Sequence, residues 1–265
     1  MEKIKYKFFV VSDIHSYFTS FKEALDKAGF DPENDRHYLV SLGDCFDRGP
    51  DSVKLLSYLM SVERKILVKG NHDILLENLC MRGFPYSNDK HNGTTRTVQD
   101  ISGRYSAHDF ANACEITYNK LARYRELLVN YFETEKYIFV HSWIPTHKVD
   151  VPNPADKWIP LTTDEYMEDW RNANDVEWED AMWGNPFKLA EQDLNKTGKI
   201  IVFGHWHCSA GHKMFGHCNS EFGVDADFNP YYGKDFIGID GCTAHTGEVN
   251  VIILEDDFLD SERDN

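Results

Sequence analysis

The chain has 265 residues, with 44 acidic and 28 basic side chains and a formal net charge of −16. This length is sufficient for one large domain with a buried core, and the many aromatic residues argue against disorder. The negative charge excludes a general binder of duplex nucleic acid or of membrane surfaces, because both partners require a basic protein face. A small phosphorylated ligand remains compatible, since a metal ion can supply local positive charge.

The cysteine pattern and the hydropathy bear on the compartment. The six cysteines are scattered and form no CxxC pair, which favours reduced thiols over a disulfide framework. No apolar run is long enough to span a bilayer, and the first residues lack a signal-peptide core. The sequence therefore predicts a cytoplasmic protein that does not engage a membrane.

Three strand–loop–helix units are predicted in the first third of the chain. Continuous apolar runs predict strands over residues 7–12, 36–42 and 65–69. Each run ends in a polar loop, and helical patterns follow at about 18–28, 50–59 and 74–81. This alternation predicts an α/β fold with neighbouring strands parallel.

The remaining chain is less regular. A polar, then helical, insertion is predicted at about 83–130, over one end of the sheet. Further strands are predicted at 137–140, 199–203, 236–240 and 248–254, with a proline-containing loop at 151–160. An acidic, loosely held tail is expected from about 255. No repeat or linker divides the chain, so a single domain over residues 1–265 is predicted.

Side chains with metal-ligand chemistry follow five of the predicted strands. They are Asp13 and His15, Asp44, Asn71, His141, and His205. Loops at the carboxyl ends of strands are where α/β proteins place their chemistry. Carboxylate, amide and imidazole ligands form a mixed oxygen and nitrogen set that suits Mn, Fe, Zn or Mg ions rather than a thiolate site.

The loop after the second predicted strand carries several distinct groups. Asp44 is the natural bridge between two ions, which would hold a bridging hydroxide for in-line attack on phosphorus. Arg48 is expected to bind phosphate oxygens in a bidentate fork. His72, next to Asn71, is expected to protonate the leaving oxygen, and Asp47 to hold that imidazole protonated and oriented. Arg48, Asn71 and His72 are the predicted substrate contacts.

These motifs resemble the ordered signature of the calcineurin-like metallophosphoesterases, and more narrowly the phosphoprotein-phosphatase branch. The motifs are Asp13-Ile14-His15, residues 43–49, Gly70-Asn71-His72-Asp73, His141, and Gly204-His205. The resemblance implies a four-layer α/β/β/α fold in which two central mixed β-sheets are flanked by helices.

The resemblance also implies a dinuclear metal site. Its first ion would be bound by Asp13, His15 and Asp44. Its second ion would be bound by Asp44, Asn71, His141 and His205. Mn²⁺ is the expected ion, with Fe, Zn or Mg as alternatives. His72, Asp47 and Arg48 are implied as the catalytic groups.

Two subfamilies compete for the substrate. Asp47-Arg48-Gly49 and residues 92–97 resemble small bacterial and phage-type Ser/Thr protein phosphatases. Gly70-Asn71-His72-Asp73, residues 203–206 and Met182-Trp183-Gly184 resemble symmetrical diadenosine tetraphosphatases. The leading prediction is a phosphomonoesterase similar to the Ser/Thr protein phosphatases, and the alternative is a symmetrical dinucleoside polyphosphate hydrolase. A third hypothesis is a catalytically weak protein that binds phosphorylated partners. The expected partner of this protein is a phosphorylated protein or a nucleotide substrate, and the oligomeric state of the protein is left open.

Several neighbours of the motifs carry further expectations. Trp143, after His141, is expected at the pocket rim. No counterpart of the second phosphate-binding arginine of the protein phosphatases follows Trp183, and Arg96 or Arg104 are the candidates to replace it. Cys45 is expected to be a small packed residue, with a redox-sensitive thiol as the alternative.

Overall fold

The computed structural model describes residues 5–154, 159 and 161–258. This part of the chain contains two five-stranded sheets and a two-stranded hairpin. The strands are β1 (Tyr6–Val11), β2 (His37–Ser41), β3 (Lys65–Val68), β4 (Leu128–Val129), β5 (Tyr131–Glu133), β6 (Tyr137–Val140), β7 (Thr146–Val151), β8 (Leu161–Tyr166), β9 (Ile200–His207), β10 (Tyr231–Tyr232), β11 (Phe236–Asp240) and β12 (Ile252–Asp256).

Helices cover the outer faces of the two sheets. They are α1 (Phe18–Lys27), α2 (Ser52–Ser61), α3 (Asn71–Arg82), α4 (Ser87–His91), α5 (Thr94–Ser102), α6 (Phe110–Lys120), α7 (Ala122–Glu126), α8 (Asp175–Met182), α9 (Pro186–Glu191), α10 (Cys208–Met214) and α11 (Thr243–Thr246). Two 3₁₀ turns lie at Ala107–Asp109 and Trp170–Asn172. No helix among the described residues has the length and apolar character needed to cross a membrane.

Both large sheets are mixed. The first has the order β12-β1-β2-β3-β4, with β12 antiparallel to β1 and the other neighbours parallel. The second has the order β10-β11-β9-β6-β5, with β6, β9 and β11 parallel and antiparallel strands at both edges. The prediction that the first three strands run parallel is therefore confirmed.

Alternate residues of the strands separate the core into layers. On β1, Phe8 packs into a cluster that it shares with Phe139 and Val202 of the second sheet. Its neighbour Phe9 faces the opposite way, into a cluster with Leu25 of α1. Because successive strand side chains point to opposite faces, this alternation places one core between the sheets and others beneath the helices. The predicted four-layer α/β/β/α fold is confirmed.

Helix α3 differs from its predicted bounds in a way that matters for the site. The sequence predicts a start near residue 74, but the helix begins at Asn71. The Asp73 carboxylate accepts the Gly70 backbone N–H at 2.8 Å, which caps the helix three residues earlier than the apolar pattern indicates. Asn71 and His72 therefore stand on the first turn of a helix rather than in a loop.

The hairpin β7–β8 was not predicted from the sequence. Its strands pair in register from Thr146 opposite Tyr166 to Val151 opposite Leu161. Most of its side chains are exposed or half-buried polar groups, so no apolar alternation marks the strands. The predicted loop at 151–160 corresponds to the connection, of which 155–158 and 160 lie outside the described residues.

The end of the chain also differs from its expected bounds. The last strand occupies Ile252–Asp256 instead of 248–254. Asp256 is buried, and its carboxylate accepts the Lys136 backbone N–H at 2.7 Å. The first residues of the expected acidic tail thus belong to the sheet, whereas residues 259–265 lie outside the described part.

Candidate metal and phosphate site

The six predicted ligands meet at one edge of the two sheets. Asp13 and His15 follow β1, and Asp44 follows β2. Asn71 opens α3 after β3, His141 follows β6, and His205 lies in β9, which is longer than predicted. Within each sheet these strands run parallel, so their carboxyl ends lie at the same edge of that sheet, and the ligand groups bring the two edges together at Asp44.

The backbone bends sharply beneath these side chains. In the described part of the chain, seven of the nine non-glycine residues with positive φ lie here: Asp13, His15, Ser16, Asp44, Asp47, Arg48 and His205. The turns also pack closely, because a Cβ added to Gly70 would lie 2.2 Å from Asp44 Oδ1. Left-handed backbone at residues other than glycine is costly and concentrates at functional sites.

Asp44 belongs to two groups of potential ligands. One joins Asp44 to His15 and His72, and the other joins it to His141 and His205; within each group the ligand atoms lie within 4.8 Å of one another. Asp44 Oδ2 is 3.9 Å from His15 Nε2, and Asp44 Oδ1 is 3.5 Å from His141 Nε2. A carboxylate in this position can bridge two cations.

Hydrogen bonds orient the histidines as metal ligands. His15 Nδ1 lies 2.9 Å from the Phe46 carbonyl oxygen, and His141 Nδ1 lies 2.6 Å from that of Leu42. These carbonyls accept the Nδ1 protons, which leaves the Nε2 lone pairs facing the site. His141 Nε2 then faces Asn71 Oδ1 at 2.8 Å, with an acceptor on each side. This arrangement fits a cation between the two atoms.

Asp13 occupies a different position from the first ligand group. Its Oδ2 accepts the backbone N–H of His205 at 2.9 Å and the hydroxyl of Ser12. Asp13 lines the same cleft as Asp44, although His72 rather than Asp13 completes the group with His15. Asp13 is thus close to the predicted first metal position while being held by the second sheet.

Electrostatics favour neutral imidazoles at His15 and His205 beside an ionised Asp44. Burial, followed by the charge of Arg48, holds the pKa of His15 well below its usual range. Burial, followed by His141, lowers the pKa of His205 to about 3. Burial would raise the pKa of Asp44, but the surrounding histidines bring it below its usual value. Neutral histidine and ionised aspartate are the forms that bind metal ions.

Arg48 and His72 stand over this ligand set. Arg48 Nη1 lies 2.6 Å from His15 Nε2, and Arg48 Nη2 lies 3.2 Å from His72 Nε2. His72 Nδ1 lies 2.7 Å from Asp47 Oδ2. Burial opposes protonation of His72, but the Asp44 charge and the bond to Asp47 raise its pKa. The structure therefore brings the three predicted catalytic residues together.

Two threonines support the site in a way that the sequence did not predict. Thr94 donates its hydroxyl to Asp47 Oδ2 at 2.7 Å, and Thr97 donates to Asp47 Oδ1 at 2.8 Å. Both stand on α5 and are buried. The resemblance of residues 92–97 to protein phosphatases pointed to this segment, but only the fold reveals that it holds the Asp47 carboxylate.

The site opens into a cleft of about 250 Å³. Its lining residues are Asp13, Asp44, Arg48, Asn71, His72, Leu75, Asn88, Asn92, Trp183 and His205. A larger cavity of about 330 Å³ lies between the β7–β8 hairpin and helices α8 and α9, but it contains none of the predicted ligands. The chemistry therefore belongs to the smaller cleft.

Two expectations about the pocket are wrong, and a third is resolved. Trp143 is only 1% exposed and packs against Phe203 in the core of the second sheet. Arg96 and Arg104 do not line the cleft; they face Asp100 and Asp109 at 3.4 and 3.9 Å. Cys45 is buried in the core beneath α2 and α3, as the packed-residue interpretation predicts.

Comparison with known proteins places the chain in a family. Residues 6–209 match the model of the family described as calcineurin-like phosphoesterase. The chain belongs to the calcineurin-like phosphoesterase family. The predicted family is therefore confirmed, and the ligand groups around Asp44 are candidate metal sites in a member of it.

Among curated proteins similar to this chain are two bacterial proteins named symmetrical bis(5'-nucleosyl)-tetraphosphatase. The protein from Aromatoleum aromaticum is 35% identical over 97 residues, which cover 36% of this chain and 34% of the relative. The protein from Pseudomonas fluorescens is 26% identical over 184 residues, covering 66% and 59% of the two chains. The matches therefore span about a third to three-fifths of these relatives.

A solved structure supports the fold over nearly the whole chain. The cold-active protein-tyrosine phosphatase of a psychrophilic Shewanella species aligns with a TM-score of 0.50 at 12% identity. The alignment covers 94% of this chain and 75% of the neighbour. At this identity the similarity concerns the fold alone.

Proposed function

We propose that this protein is a dinuclear, metal-dependent phosphoesterase that hydrolyses phosphate esters or anhydrides. The observation that supports it is the membership of Asp44 in two groups of potential ligands, with Arg48 within hydrogen-bond distance of His15 and His72. One ion would be held by Asp13, His15 and Asp44, and the other by Asp44, Asn71, His141 and His205. When bound, two such ions supply Lewis acidity and an activated water nucleophile, and Mn²⁺ suits this donor set.

The chain's own groups divide the remaining work. Arg48 binds phosphate oxygens, because its guanidinium lines the cleft and faces the ligand histidines. His72 donates its Nε2 proton to the leaving oxygen, while Asp47 accepts from Nδ1 and keeps the ring oriented. Asn71, at the start of α3, lies beside His72 and can contact a substrate oxygen.

We propose a dinucleoside polyphosphate as the substrate, cleaved symmetrically. Two features support this choice. The curated relatives bear the name symmetrical bis(5'-nucleosyl)-tetraphosphatase. Among the described residues that line the cleft, Arg48 is the one arginine, whereas the protein-phosphatase prediction requires a second phosphate-binding arginine.

A Ser/Thr protein phosphatase is the second candidate. The segment 92–97, which resembles that subfamily, packs tightly on the loop that carries Asp47 and Arg48. A Cβ added to Gly93 would lie 2.6 Å from the backbone nitrogen of Arg48. Thr94 and Thr97 of the same segment hold Asp47. The segment that resembles the Ser/Thr protein phosphatases thus belongs to the site. This contact supports a protein phosphatase as the second candidate.

A single assay separates these candidates. Purified protein is supplied with Mn²⁺, and kcat/KM is compared for diadenosine tetraphosphate and a phosphoserine peptide, with p-nitrophenyl phosphate as a general phosphoester. Diadenosine tetraphosphate plus water should give two molecules of ADP, and its kcat/KM should exceed that of the peptide. A higher kcat/KM for the peptide would favour the second candidate. No turnover of any substrate would favour the weak binding protein.

The compartment is part of the proposal. All six cysteines are free thiols, four of them buried, which supports a reducing cytoplasm. Fractionation of cells that express the tagged chain, with cytoplasmic and envelope marker proteins as controls, tests it. Recovery in the envelope fraction would contradict it.

A further inference from the structure

Among the tryptophans that the structure describes, Trp183 is the most exposed, and half-buried Trp206 is intermediate. Trp143, Trp170 and Trp178 are at most 3% exposed and belong to the core of the second sheet. Trp183 is 49% exposed and lines the cleft together with Arg48, His72 and the ligand carboxylates. A large apolar ring left in water beside a phosphate site therefore needs a separate explanation.

The position of Trp183 is well defined. Its backbone N–H donates to the Asp180 carbonyl at 3.2 Å, at the end of α8. The carbonyl of the next residue, Gly184, accepts the Ser142 hydroxyl at 2.9 Å, and Ser142 directly follows the ligand His141. The indole is thus tethered to the metal side of the cleft rather than placed on a free loop.

The faces of the indole are available for stacking. The His205 ring is 6.3 Å away and stands at 89° to the indole, an edge-on contact. No aromatic ring among the described residues stacks in parallel on Trp183. Planar rings stack on exposed indoles with little dependence on sequence or orientation, because each presents a π face.

We propose that Trp183 is the stacking platform for a nucleobase of the substrate, with Asn88 and Asn92 contacting its polar edge or its ribose. This inference rests on the proposed function and identifies a nucleoside as the group recognised. Both asparagines line the same cleft and carry a donor and an acceptor. A nucleobase has matching edge groups, whereas the phenyl ring of phosphotyrosine has none.

Two variants of Trp183 test the platform. Trp183→Ala should lower kcat/KM for diadenosine tetraphosphate about 5- to 100-fold, mainly through KM, as expected for the loss of one base–aromatic stack. The kcat/KM of the same variant for inorganic tripolyphosphate, which lacks a base, should change less than about twofold. Trp183→Phe should retain most of the activity, and Tyr105→Ala, an exposed aromatic outside the cleft, serves as the control.

A binding measurement separates this inference from the proposed reaction. ADP should quench the indole fluorescence of the wild-type protein, and this quenching should be largely lost in Trp183→Phe. If no substrate is turned over, the proposed reaction fails and the quenching result alone decides the inference. The inference would be overturned if Trp183→Ala lost kcat/KM equally on diadenosine tetraphosphate and tripolyphosphate, or lost more on phosphotyrosine than on diadenosine tetraphosphate. Absence of Trp183-dependent quenching would also overturn it.

Discussion

Asp47 Oδ2 lies 2.7 Å from Nδ1 of His72, and both carboxylate oxygens of Asp47 also accept threonine hydroxyls from α5. The aspartate is fully buried, and three hydrogen-bond donors fix its position. His72 therefore has one orientation, with Nε2 directed at the cleft. Its raised pKa keeps it protonated to higher pH than a free histidine.

Asp47→Asn should shift the pH dependence of the reaction. A general acid acts in its protonated form, so activity falls as pH rises through its pKa. An amide cannot stabilise the imidazolium, so the alkaline limb of kcat for a poor leaving group should move to lower pH, with about a 10- to 100-fold loss at pH 8. The pH–rate profile checks this, with exposed Asp35→Asn as the control; an unmoved limb would exclude the pairing role.

His72→Asn should separate metal binding from proton donation. We expect the metal content to be retained and kcat for a poor leaving group to fall about 10²- to 10⁴-fold. The loss should be smaller with p-nitrophenyl phosphate, whose leaving group needs little protonation. Steady-state kinetics and metal analysis provide the measurement, and exposed His108→Asn is the matched control. Equal losses on both leaving groups would remove His72 from the acid step.

Asp44→Asn should lose metal and activity together, because Asp44 is shared by both ligand groups. Loss of partners that only orient a ligand weakens metal binding about 10- to 100-fold, and a shared direct ligand should cost more. Titration calorimetry with Mn²⁺ measures the affinity directly, with Asp35→Asn again as the control. Full occupancy of two ions in the Asp44 variant would refute the bridging role.

Glu133→Gln should destabilise the fold away from the site. Arg171 donates to both Glu133 oxygens at 2.8 and 2.7 Å, and Lys199 Nζ lies 2.7 Å from Oε1. Burial would raise the pKa of Glu133, but these bonds bring it below its ordinary value. Breaking a buried ion pair costs about 3–5 kcal/mol, and partial exposure of Arg171 reduces this to about 1–3 kcal/mol.

The pH dependence of this effect has a definite sign. The folded pKa of Glu133 is lower than the unfolded one, so its stabilisation is present above about pH 4.3 and is lost as pH falls through the folded pKa. The difference in free energy of unfolding between wild type and Glu133→Gln should therefore shrink in acid. Asp193→Asn, in an exposed pair with Lys196, should have little effect at any pH. A difference that grows in acid would contradict the assignment.

Cys45 should be inert in the folded protein. Burial raises the pKa of its thiol to about 12, so almost no thiolate forms near neutrality. Mass spectrometry after iodoacetamide treatment at pH 8 should find Cys45 unmodified until the chain is unfolded, whereas half-buried Cys218 should react sooner. Rapid labelling of Cys45 in native protein would revive the redox-sensitive interpretation.

The sequence predicts the strands of the centre and the residues at their ends well, because long apolar runs followed by polar turns are a strong signal. Phe9 and Val40 lie in such runs, and Asp13 and Asp44 follow them. Local patterns did not predict the hairpin β7–β8, whose pairing is not supported by apolar alternation. They also did not predict the burial of Trp143, which packs against Phe203 of a strand distant in sequence.

Supporting contacts were the least predictable part of the site. Thr94 and Thr97 lie 47 and 50 residues from Asp47 in the chain. Their hydroxyls become partners of Asp47 only when α5 packs against the loop that carries Asp47. An ordinary threonine on a polar helix carries no local mark of such a contact, so tertiary packing alone reveals it.

The ligands come from both halves of the sandwich. Asp13, His15 and Asp44 extend from the first sheet, whereas His141 and His205 extend from the second. A metal ion bound by side chains of both sheets links the sheets and stabilises the folded protein by mass action. The stabilisation grows with the logarithm of the free ion concentration over its Kd. The ions proposed for catalysis would therefore also cross-link the two sheets. The thermal stability of this protein should then depend on the metal supply of the cell.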